Sequence, residues 1–158
     1  MKREQISILG CKIGKKITMN YFHIAESKNY NVENDDTPHP DLIKALHAFN
    51  DDLAEAFHVD SNNVDNYKAT GFTIHEKKGN YFIILSGKVQ TSHDAVVGIS
   101  SGHIPYNANG DIINNVMEEK LLDIREALFQ YMFEGVGAQQ TIPFPEENKE
   151  ESSSKKKK

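Results

Sequence analysis

Apolar side chains recur in two rhythms along this chain, one of period two and one of period three to four. Over residues 4–13, Ile6, Ile8, Cys11 and Ile13 alternate with other residues and slip once at Leu9-Gly10. That pattern predicts a strand with a bulge at Gly10. Residues 14–16 turn. Residues 17–26 predict a second strand, with Ile17, Met19, Tyr21 and His23 on one face and Phe22 and Ile24 on the other. A short edge strand over 30–33 follows. The rhythm then changes. Leu42, Leu46, Phe49, Leu53 and Phe57 recur at spacings of four, three, four and four. This predicts one amphipathic helix over 41–57, opened by Pro40 at its first position and by Asp41 near its positive end.

Alternation returns over 67–76. Lys77-Lys78-Gly79-Asn80 makes a turn, with the glycine free to take a positive φ. Tyr81, Phe82, Ile83, Ile84 and Leu85 open the richest strand of the chain, 81–89, and Val96, Val97 and Ile99 a third, 95–101. So short a meander needs a helix across one face. Residues 102–110 hold turn formers and predict a loop. Asp111 caps a second helix that runs to 134, with a stripe of Ile113, Met117, Leu121, Ile124, Leu128 and Met132 widened by Leu122, Phe129 and Phe133. The fold class is α+β: an antiparallel sheet of five to six strands in βββα-βββα order, with two helices packed on one face. The repetition is one of element order, without a residue-level repeat. Residues 1–144 form one domain, and 145–158 are a charged low-complexity tail that predicts disorder.

Charge narrows the partners. The 158 residues carry a net −5, and the tail holds five lysines against four glutamates, which leaves −6 on residues 1–144. An acidic body argues against nucleic acid as a direct partner, since such binding rests on neutralising phosphates. One cysteine, Cys11, makes no internal disulfide and fits a reducing cytosol. The first residues lack the apolar core of a signal peptide, and no run of about 18 apolar residues exists to span a membrane. The expectation is a cytoplasmic protein without membrane contact.

Catalytic patterns are weak. The seven histidines form no recognised zinc spacing. Asp51, Glu55 and His58 share a face of the first predicted helix, a conceivable divalent-metal site and the basis of a nuclease reading; a solvated helix face explains them more simply. Ser92, His93 and Asp94 adjoin in sequence, but a triad is a matter of spatial geometry. No Gly-rich phosphate loop is present. Cys11 within a strand reads as core. Hence no catalytic residue, no metal and no cofactor is expected, and the chain reads as non-enzymatic. The segment from Ser100 to Gly110 offers free backbone donors, and Ser100, His103, Tyr106 and Asn107 can bond to or stack on a small ligand or nucleotide. An open sheet face, if apolar, would favour a homodimer; Thr73, His75 and Tyr81 alternate in a way that predicts a semi-polar one.

Gln139, Gln140, Ile142 and Phe144 form a short segment with two apolar anchors flanking Pro143. Such an extended peptide docks on proteins through a few side chains. It resembles the peptides through which replication proteins bind sliding clamps, although Pro143 interrupts the pattern. Ile142-Pro143-Phe144 is also similar to the end of bacterial single-strand-binding-protein tails, which finish at the Phe; here fourteen residues follow.

Further landmarks are His39-Pro40-Asp41-Leu42, Ala69-Thr70-Gly71-Phe72, Gly87-Lys88, Tyr131-Met132-Phe133-Glu134-Gly135 and Ala138-Gln139-Gln140. In this order, with Ile142-Pro143-Phe144 after them, they resemble a family of small proteins of tailed bacteriophages and prophages, crAss-like phages included. The resemblance implies a phage protein in the host bacterial cytosol and carries over no activity and no catalytic residue. The expected function is that of a non-enzymatic accessory protein binding a host or phage protein, with the DNA replication machinery as one candidate. The alternative is a small-ligand or nucleotide sequestering protein of anti-defence type.

Overall fold

The computed structural model describes residues 1–59 and 61–134. It is an α+β protein with eight strands in one antiparallel sheet. Strands β1 (Ile6–Ile13), β2 (Ile17–His23) and β3 (Lys28–Asn34) form a meander. Helices α1 (Pro40–His47) and α2 (Asn50–Ala56) follow. Then come β4 (Tyr67–Lys77), β5 (Asn80–Gln90), β6 (Val96–Ser100), β7 (Ile104–Ala108), β8 (Asp111–Ile112) and α3 (Asn115–Phe133). The spatial order is β3-β2-β1-β4-β5-β7-β8, with β6 paired to β5 beside β7. The two meanders join where β1 meets β4, with Cys11 opposite Phe72.

The sheet has more strands than the alternation predicts, because residues 102–110 are not a loop. Ile104 to Ala108 pair with β5, and Asn109-Gly110 turn the chain into β8. Pro105 lacks an N–H, yet a strand near the sheet edge tolerates that. The third strand of the second meander is thus broken into β6 and β7 by a step at Ser101, Gly102 and His103. Ser101 repairs the ladder across the step. Its N–H donates to the Leu85 carbonyl (2.8 Å), and its Oγ accepts from the Leu85 N–H (2.9 Å).

The single predicted helix over 41–57 is two helices. Phe49, at φ −89° and ψ 0°, leaves helical geometry between them. Its ring is fully buried and stacks near Phe72, with centroids 6.3 Å apart. The next residue, Asn50, uses its Oδ1 to accept the Ala69 N–H at 2.7 Å, where β4 carries a bulge. α3 begins later than predicted. Its N-cap is Asn114, whose side chain accepts the Met117 N–H, and Asp111 belongs to β8.

All three helices lie against one face of the sheet. Ile8, Cys11, Met19, Phe72, Ile83 and Leu85 point into this face and are buried with Leu42, Leu46, Leu53, Leu121, Ile124 and Leu128 in one cluster. Two glycines allow close approach, one between sheet and helix and one between neighbouring strands. A Cβ on Gly87 would sit 2.5 Å from Leu53 Cδ2, and one on Gly10 would sit 2.6 Å from the Phe72 carbonyl. Polar ties hold the helices in register. Lys120 and Asp52 pair at 2.6 Å between α3 and α2, and Arg125 Nε donates to the Ile8 carbonyl at the β1 bulge. Tyr131 donates to the Asp36 carbonyl. Among the described residues, no helix covers the opposite face. Alternation from the buried positions assigns Thr18, Asn20, Thr73, His75, Phe82, Ile84 and Ser86 to it.

Candidate functional site

The sequence-predicted ligand residues are dispersed. Tyr106 faces the helices, is almost fully buried, and lies near Tyr81 with ring centroids 6.3 Å apart. Burial pushes its hydroxyl pKa up, with the Arg125 guanidinium working against that. Asn107 Oδ1 accepts the Gly110 N–H and so shapes the hairpin turn. Ser100 stands at the end of β6, opposite Ser86. His103 opens onto a cleft. Tyr81 shares the helix-covered face with Ile83 and Leu85, so the semi-polar open face has Phe82 in its place beside Thr73 and His75.

That cleft, of about 340 Å³, is lined by His75, Glu76, Lys77, Phe82 and His103. The step after β6 positions His103. A regular strand would carry residue 103 along the ladder; the break lets its ring approach β4 across β5. His103 meets His75 at 5.3 Å between centroids and Phe82 at 5.7 Å, edge to face. Glu76 Oε2 accepts the Gly79 N–H at 2.7 Å, which ties the cleft to the β4–β5 turn. The sequence signal for this pairing was absent, because His75 and His103 become neighbours only through strand pairing and the step.

A second feature lies where β8 runs into α3. Ile112, Ile113 and Val116 are 50%, 55% and 59% exposed. Ile113 was expected in the α3 stripe, but it precedes the helix, and its N–H donates to the Tyr106 carbonyl. Asp111 and Glu119 beside these residues are exposed. A shallow hollow of about 190 Å³, lined by Asp52, Glu55, Ala56, Ile104, Asn114 and Met117, adjoins them. Three β-branched side chains close in sequence are thus exposed, with the exposed carboxylates of Asp111 and Glu119 as sequence neighbours.

Other candidates separate. Asp51, Glu55 and His58 do not share a helix: α2 ends at Ala56, and His58 takes a left-handed φ of 57°. Among the described residues no three His, Cys, Asp or Glu side chains converge as a metal site. His93 and Asp94 lie in the turn between β5 and β6, where Asp94 Oδ1 accepts from Gln90. Cys11 is buried, and desolvation pushes its thiol up to about 12, the reverse of what a nucleophile needs. Gln139, Gln140, Ile142, Phe144 and the predicted tail lie outside the described residues. No described helix is long and apolar enough to cross a membrane. Compared with protein-family models, curated proteins and solved structures, the chain finds no match in any of the three.

Proposed function

We propose that this chain is a non-enzymatic accessory protein of a tailed phage that acts in the bacterial cytosol by binding another protein. The observation that supports this reading is the exposed run Ile112, Ile113 and Val116 at the start of α3. Apolar anchors with a polar rim are the usual composition of a protein interface. The exposed carboxylates of Asp111 and Glu119, neighbours of these residues in sequence, favour a partner with apolar side chains flanked by lysine or arginine. The segment of Gln139, Gln140, Ile142 and Phe144 would supply a second anchor on the same partner, with the replication machinery the first class to examine.

Sequestration of a small ligand has less support, because Tyr106 and Asn107 are already engaged in the core and in the hairpin turn.

The test is capture from bacterial lysate with three chains: full length, one ending at Ala138, and the double variant Ile113→Asp/Val116→Asp. The expected result is one partner held by the full chain, with affinity lowered about tenfold or more in each altered chain, a loss of at least 1.4 kcal/mol. Circular dichroism should stay unchanged, since both substituted positions are exposed. The same capture by all three chains, or none by any, would overturn the proposal.

A further inference from the structure

The step between β6 and β7 brings together two imidazoles far apart in sequence. His75 stands on β4 and His103 at the step, both exposed, with ring centres 5.3 Å apart and planes at 65°. Zinc takes imidazole nitrogens at about 2.0–2.1 Å with tetrahedral angles, and a ring nitrogen lies about 1.2 Å from its ring centre, so two imidazoles on one ion have centres about 5.3 Å apart. A bare aromatic contact permits the same separation, but the surroundings here also suit a cation. Glu76 lines the cleft and supplies negative charge. Phe82, half-buried, packs edge-on against His103 at 84°.

We infer that His75 and His103 form a two-histidine site for a divalent transition metal of the zinc and copper class. No third His, Cys, Asp or Glu among the described residues converges with them, so water fills the remaining positions. Such an ion would clasp β4 to the step across β5 and hold the broken edge of the sheet. Lys77 also lines the cleft, and its ammonium opposes the incoming cation. Copper(II) should bind more tightly than zinc, following the general order for nitrogen ligands.

Calorimetric titration of the full chain with zinc chloride tests this. One equivalent should bind. Affinity should fall at least tenfold in His75→Ala and in His103→Ala, stay unchanged in His93→Ala, and rise in Lys77→Gln. Zinc should raise the melting temperature of every chain that binds it and of no other. Equal binding by the His75→Ala and His103→Ala variants would place the ion on other histidines. No heat at millimolar zinc with the parent chain and with Lys77→Gln would leave an aromatic contact alone. Either result overturns the inference.

Discussion

The two halves of this chain each run from strands to helix, three strands in the first and, in the second, β4, β5, a third strand broken into β6 and β7, and the short β8; each series breaks in a different place. In the first half the strands are whole: β2 pairs with β3 along its full length, from Ile17 with Asn34 to His23 with Lys28. The helix is what breaks, at Ala48 and Phe49. In the second half α3 runs unbroken for 19 residues, and the third strand breaks at Ser101, Gly102 and His103. Both breaks are bridged alike. A side-chain oxygen takes up a backbone N–H of the neighbouring strand, Asn50 for Ala69 and Ser101 for Leu85. An interruption in a packed layer survives where its polar groups find partners, since a buried unpaired group is costly. The consequences differ. The helix break turns an aromatic ring into the core, whereas the strand break turns His103 outward against His75.

The sharpest way to break this comparison is Phe49→Ala. The ring is fully buried at the helix break, so its loss should cost about 3–5 kcal/mol in urea denaturation. Because both halves share one core, the transition should stay single. A separate early transition of β1 to α2 would show that the halves are independent.

Cys11, at the seam between the halves, gives the next effect. Its thiol pKa rises from an ordinary 9.0 to about 12 in the fold, through burial. The unfolded thiol therefore ionises first, and the stability present below pH 9 is lost as pH climbs toward 12. The loss approaches about 4 kcal/mol at the upper end of that window. Stability measured against pH should fall more steeply for the parent chain than for Cys11→Ala; parallel curves would contradict the burial.

Smaller effects compare the two bridges directly. Asn50→Ala and Ser101→Ala each leave an N–H without its acceptor and should cost about 1–3 kcal/mol. A neutral Asn50→Ala beside a costly Ser101→Ala would confine the argument to the strand.

Much of this fold is legible in particular residues. Leu42, Leu46, Phe49 and Leu53 are all buried, as their spacing predicts. Phe57 is 41% exposed, because α2 stops one residue before it and leaves it to pack near Tyr67. In α3, Met117, Leu121, Ile124 and Leu128 are buried as expected, while Leu122 is 54% exposed and Ile113 lies exposed ahead of the helix. The bulge predicted at Gly10 is present as a register shift between Ile8 and Gly10. Ile104 to Ala108 read as a loop because Pro105, Asn107, Asn109 and Gly110 are turn formers; pairing with the long β5 outweighs that local preference. Of the candidate site, His103 was legible as a residue and its surroundings were not.

The sequence by itself determined the class, the alternation of strand groups with helical segments and the buried face, because these follow from the period of apolar side chains, a local property. Only the tertiary structure decided how many strands the sheet holds, where the helix and the edge strand break, and which side chains meet. Those depend on hydrogen bonds and contacts between residues distant in the chain, such as Asn50 with Ala69 and His75 with His103. No local rhythm encodes them.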